Sequence, residues 1–221
     1  MRQITSKIAS LVAAAVLLSI ASAGFSLAQQ APPAAGAPPA GAGAGAAGRG
    51  GAPPPAPPFR IMSPDMVDGS LLPQQFSCAA GTAAVSPSLQ WTNAPRGTRS
   101  FALIVHDMEP RPQKKLDDIL HWMVWNIPAN ATRFPRGIPS NTPDLPDGSR
   151  QTNGNPGQDG ITGYRPPCPP QNVPLPHHYV FDMFALDTAV DLPETATRAD
   201  VMKVMDGHIL GHDSLVVPFN R

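Results

Sequence analysis

Proline sets the first limit on what this chain can become. It occurs 29 times in 221 residues, against the roughly 5% of an average protein. Interior proline costs a helix about 3 kcal/mol, so a largely helical domain is excluded. The prolines also divide the chain. Ala31 to Pro58 contains only Ala, Pro and Gly apart from Arg49. Such a segment has no large apolar side chain whose burial could offset its ordering entropy. It reads as a linker from Gln29 to Pro58, stiff at its proline clusters and flexible at its Gly-Ala centre.

What precedes the linker has the layout of an export signal. Arg2 and Lys7 form a positive end, Ile8 to Ile20 is a short apolar run, and Ala21-Ser22-Ala23 and Ser26-Leu27-Ala28 both offer cleavage sites. Cleavage after Ala28 is expected, giving a signal peptide over 1–28 and a mature chain with no transmembrane segment. The protein is then periplasmic or secreted. Removing Arg2 and Lys7 turns a formal net charge of zero into −2. Neither value suits a nucleic-acid partner, which requires a basic patch. Cys78 and Cys168 are the two cysteines, too few for a disulfide-dense scaffold or a cysteine-rich zinc site.

The folded domain is expected over 59–221. Phe101 to Val105, His121 to Ile127 and Tyr179 to Leu186 are continuous apolar runs without helical spacing, which suit buried strands. Ser88 to Trp91 and Leu215 to Phe219 are weaker strand candidates. Thr197 and Asp200 have capping-box spacing before a helix whose apolar face would hold Ala199, Met202, Val204 and Met205, with Gly207 as its stop. From Arg133 to Pro176 the chain is mostly turn chemistry, a length usually kept for function. The class is mainly β, with one or two peripheral helices.

Polar residues interrupt this pattern at strand ends. Asp107 and Glu109 follow one strand, His121 opens another, and His177, His178 and Tyr179 open a third. Strand ends let a rigid sheet present polar groups to one pocket. Pro166, Pro167, Pro169 and Pro170 surround Cys168 and make a stiff wall.

These residues carry a resemblance. Phe76-Ser77-Cys78 with Ser86 to Trp91, Phe101 to Asp107, His121 to Pro128, Gly163-Tyr164 with Pro167 to Pro170, and His177 to Phe181 running into Ala185-Leu186-Asp187 resemble the phosphatidylethanolamine-binding protein family, in its bacterial Raf-kinase-inhibitor-like branch. Gly207 to Leu210 after a helix also fits. The resemblance covers nearly all of 59–221. It implies an antiparallel β-sandwich with a C-terminal helix, and a small pocket for an anion such as phosphate or a phospholipid head group. By position the ligand-binding residues would be Asp107, Glu109, His121, Pro169, Pro170, His177 and Tyr179, with Cys168 on the rim. Where the family reads Asp-Pro-Asp-Ala-Pro, this chain has Asp107-Met108-Glu109-Pro110-Arg111-Pro112. Arg165 and Pro166 replace glycines before the Pro-Cys-Pro-Pro run, adding a cation near the site.

In such a pocket Asp107 would orient or charge an imidazole, His121 and His177 would donate to one anion as imidazolium, and Tyr179 would add a neutral donor. Phosphate should then bind more tightly below about pH 6.5. Two His and a carboxylate could instead hold a metal, but no His-Glu-x-x-His or His-x-His spacing supports one, and neither metal nor cofactor is expected. Cys168 near His177 lacks the donors of an oxyanion hole, so no enzyme is expected. A disulfide between Cys78 and Cys168 and a pair of free thiols both stay open. The competing class is an inhibitor or regulator of a protease or kinase, docking a protein partner through the long loop.

Overall fold

A computed structural model describes residues 55–109, 118–155 and 160–221. The export signal, linker residues 29–54 and Pro110-Arg111-Pro112 lie outside the described residues. The strands are β1 (Arg60–Met62), β2 (Leu89–Thr92), β3 (Ser100–Asp107), β4 (Ile119–Pro128), β5 (Arg133–Phe134), β6 (Arg150–Thr152), β7 (His177–Leu186) and β8 (Ile209–Phe219), with helix α1 (Arg198–Met205) before β8. They form a five-stranded sheet in the order β6-β4-β3-β7-β8 and a three-stranded sheet in the order β1-β2-β5. Every pairing is antiparallel. The expected β-sandwich is therefore present. No helix among the described residues is long and apolar enough to cross a membrane.

The large sheet is buried on both faces, which is why its central strands read as unbroken apolar runs rather than alternating ones. Leu103, Val105, Trp122, Val124, Phe181 and Met183 point into a core shared with Ile61, Leu89, Trp91 and Phe134 of the small sheet. Ala102, Ile104, Met123 and Trp125 point the other way, against Val201 and Met205 of α1. Each large side chain so buried contributes roughly 1.5–3 kcal/mol.

Strand β4 holds one residue more than β3 at two places. Leu103 faces Val124 but Phe101 faces Ile127, and Val105 faces Trp122 but His106 faces Leu120. The first irregularity contains Asn126 at φ 55°, a left-handed conformation that asparagine tolerates. It returns Ile127 to the inner core although Trp125 faces outward. The second leaves His121 without a cross-strand partner. Bulges re-aim side chains in this way.

Helix α1 has the expected cap. Thr197 Oγ1 accepts from the Asp200 backbone at 3.2 Å, and Asp200 Oδ2 accepts from the Thr197 backbone at 2.9 Å. Its buried face differs from expectation. Val201 and Met205, one turn apart, meet the core, while Ala199 and Met202 are exposed. The helix also does not end the fold, because Gly207 (φ 78°) turns the chain into the eleven residues of β8.

The long segment after Arg133 is pinned from within. Buried Gln151 donates to the Pro139 and Thr142 carbonyls at 2.6 and 2.8 Å, and accepts from Trp122 Nε1 at 2.8 Å. Gly163 presses on this amide: a Cβ there would sit 2.4 Å from Gln151 Oε1. Tyr164 donates to the Phe76 carbonyl at 2.7 Å. Gly163→Ala should destabilise the domain by about 2–4 kcal/mol, because Gln151 cannot yield without leaving buried partners unpaired. Urea denaturation measures this, and a change below ~0.5 kcal/mol would contradict the packing described.

Candidate functional site

The sheet order brings three strand ends together. Asp107 closes β3 and faces Ile119 of β4 on one side and Tyr179 of β7 on the other. His121 and His177 enter from those neighbouring strands. Together with Ile119, Arg165, Cys168, Pro169 and Pro170 they line a cavity of about 250 Å³.

Asp107 is buried and each of its carboxylate oxygens accepts a hydrogen bond. Oδ2 accepts from His177 Nδ1 at 2.8 Å, and Oδ1 accepts from the Glu109 backbone at 2.9 Å. Burial raises its pKa above the ordinary aspartate value, with the His177 hydrogen bond pulling against it. Because Nδ1 of His177 donates to Asp107, its Nε2 is the atom left for the cavity. It has no hydrogen-bond partner among the described residues.

His121 is held by a different acceptor. Its Nδ1 lies 2.9 Å from the Arg165 carbonyl, which can only accept, so Nδ1 carries the proton. The Arg165 backbone N–H returns a hydrogen bond to the His121 carbonyl at 2.9 Å. Burial lowers the His121 pKa to about 4, although the Arg165 carbonyl favours the charged form. The expected imidazolium at pH 6.5 is thus corrected for this residue. A ring only 5% exposed loses too much hydration to hold a charge there. Its Nε2 presents a lone pair.

The Pro-Cys-Pro-Pro wall is fastened at its base. Cys78 donates its backbone N–H to the Pro167 carbonyl at 3.0 Å, and Cys78 and Cys168 are joined by a disulfide. Cys168, Pro169 and Pro170 thus face the cavity on a loop tied to a second segment of the domain.

Two expected site residues adjoin this cavity without lining it. Tyr179 does not line the cavity. Its ring is wholly buried and packs edge-on against His121, with centroids 5.1 Å apart and planes at 90°. Its hydroxyl has no hydrogen-bond partner among the described residues. Burial, reinforced by the Asp107 charge, keeps it a neutral phenol. Its place is to support His121, since β7 alternation turns it into the core. Glu109 turns into a neighbouring groove lined by Val173, Pro174, Leu175 and Pro176. There it accepts from the His178 backbone at 2.6 Å and meets His178 Nδ1 at 2.7 Å. Burial pushes its pKa up, but the His178 hydrogen bonds outweigh it and the net shift is downward. The extra methylene of glutamate gives the reach for this pairing.

Asp107, Glu109 and His177 offer ligand atoms within 4.8 Å of one another. A cation there would have to displace the Asp107–His177 and Glu109–His178 contacts. Ile119 lines the cavity without having been assigned to it from the sequence, and Arg165, expected as a cation near the site, lines it too. The signal for Arg165 was its replacement of a small residue beside the proline run.

Residues 62–220 match the family model described as phosphatidylethanolamine-binding protein. A UPF0098 protein of Methanothermobacter thermautotrophicus is 38% identical over 157 residues, spanning 70% of this chain and 93% of the relative. Among solved structures, a phosphatidylethanolamine-binding protein homologue from Chlamydia trachomatis aligns with a TM-score of 0.62 at 27% identity, over 74% of this chain and 98% of that one. Escherichia coli YbcL, a member of the same family, aligns with a TM-score of 0.60 at 26% identity, over 74% and 98% of the two chains.

The lowered His121 pKa fixes a sign. The folded state resists protonation that the unfolded chain accepts below 6.5. The stability His121 contributes is present above pH 6.5 and is lost as pH falls toward 4, an effect of order ~3 kcal/mol. Imidazole NMR should place the His121 midpoint at about 4. A midpoint at the ordinary histidine value would refute the buried neutral ring.

Proposed function

We propose, from the premise that this chain belongs to the phosphatidylethanolamine-binding protein family, that its pocket binds a small phosphate-bearing anion without turning it over. The observation that carries this reading is the convergence of His121, His177 and Arg165 on one small cavity walled by Pro169 and Pro170. The nearby carboxylate is directed at His177 Nδ1 and the Glu109 backbone, where it orients the imidazole. Arg165 supplies a permanent positive charge. The two Nε2 atoms accept hydrogen bonds when neutral, so they suit a ligand that brings protons, such as dihydrogen phosphate or the ammonium end of phosphoethanolamine. Selecting the protonated form of the ligand couples binding to proton uptake.

The protein is further proposed to act outside the cytoplasm. Arg2, Lys7 and the apolar run ending at Ile20 support export. The Cys78–Cys168 disulfide suits an oxidising compartment.

Isothermal titration of the chain from Gln29 with inorganic phosphate and phosphoethanolamine tests the pocket. Affinity should rise on going from pH 8 to pH 6, by up to ~10-fold per unit for one proton taken up. The His121→Ala, His177→Ala double variant should lose at least ~10-fold, as expected for removing two charged or strongly polar contacts. Equal affinity in the variant, or none in the wild type for either ligand, would overturn the reading.

A further inference from the structure

His177 and His178 are adjacent, and each has its Nδ1 against a carboxylate: Asp107 at 2.8 Å and Glu109 at 2.7 Å. The equivalence ends there. His178 is 45% exposed at its side chain and lines the neighbouring groove, while His177 is 6% exposed and lines both that groove and the anion cavity. A carboxylate on Nδ1–H fixes the tautomer that leaves a lone pair on Nε2, and stabilises the ring as positive charge develops on it. His177 thus has the orientation of a nucleophile, inside a cavity with a guanidinium and a second imidazole.

We propose that His177 Nε2 is a phosphoryl acceptor, taking one phosphoryl group stoichiometrically, without turnover, from a small phosphorus–nitrogen donor bound in the cavity. This rests on the anion-binding reading above. The step balances with a phosphoramidate in its ammonium form. The Nε2 lone pair attacks phosphorus, the phosphorus–nitrogen bond breaks, and its electron pair leaves on ammonia, which already carries three hydrogens. The Nδ1 proton stays on the ring, hydrogen-bonded to Asp107, and balances the charge of the new phosphohistidine. Arg165 neutralises the phosphoryl oxygens. His121, neutral and with Nε2 unprotonated, accepts a hydrogen bond from the donor's ammonium group. Asp107 touches no reacting atom and is a positioning residue.

Incubating the chain from Gln29 with phosphoramidate, followed by 31P NMR and peptide mapping under alkaline conditions, tests this without any variant. His177 should be labelled at Nε2 and at least ~10-fold faster than His178, the low end of what an oriented reacting pair gains, and inorganic phosphate should compete. Asp107→Asn should slow His177 and yield a mixture of Nδ1 and Nε2 isomers, because an amide can pair with either tautomer. Asp107→Glu should restore the Nε2 isomer. Isomer identity reports orientation in whatever fraction of each variant folds. Labelling of His177 no faster than His178, or at Nδ1 in the wild type, overturns the proposal. Phosphate binding by calorimetry without His177 labelling overturns this proposal alone, while failure of both removes the anion-binding reading with it.

Discussion

Two hydrogen bonds between His121 and Arg165 hold the site in place. The backbone N–H of Arg165 reaches the His121 carbonyl, and His121 Nδ1 returns to the Arg165 carbonyl, each at 2.9 Å. One end of this pair is the bulged residue of a central strand. The other end is the start of a proline-crowded segment with few donors of its own. The pair therefore satisfies a carbonyl that proline neighbours could not, docks an irregular loop on a sheet edge, and selects the histidine tautomer. Tyr179 beneath the ring and the Cys78–Cys168 disulfide behind the loop restrict it further.

The electrostatics follow from that anchoring. A ring enclosed by Tyr179 and the loop loses hydration, so His121 stays neutral. Asp107 is also buried, but its two oxygens have donors, and its burial cost falls on the His177 partnership. The pocket thus combines one neutral imidazole, one imidazole oriented by a carboxylate and one guanidinium. Such a set offers a ligand both hydrogen-bond acceptors and a positive charge. On the outer face of the same strands, His106 lies between Asp118 and Asp182, and Arg198 also meets Asp118. These contacts tie α1 to β3 and β7 without entering the pocket.

Much of the fold was legible because burial leaves a strong mark. The runs Phe101 to Val105, His121 to Ile127 and Tyr179 to Leu186 fall within β3, β4 and β7. The capping box at Thr197 was equally plain, being local chemistry. Less of β8 could be read, since Ile209 to Ser214 is partly exposed and lacks an apolar run. The helix face was misassigned because Met202, though apolar, lies a third of a turn from Val201. Strand-end histidines and Asp107 were found as interruptions of apolar pattern. The bulge at His121 leaves no such trace, as it depends on cross-strand register. Glu109 and Tyr179 lie off the cavity lining for related reasons. One pairs with His178, a choice between neighbouring partners, and the other follows β7 alternation into the core.

The central claim is that the two Nε2 atoms meet the ligand while the two Nδ1 atoms stay with Arg165 and Asp107. Nitrogen-15 imidazole NMR during a phosphate titration at pH 6 tests it directly. Both Nε2 resonances, of His121 and His177, should shift saturably with one affinity, and both Nδ1 resonances should keep their hydrogen-bonded character. Unchanged Nε2 signals under saturating phosphate, or movement confined to His178, would contradict the account.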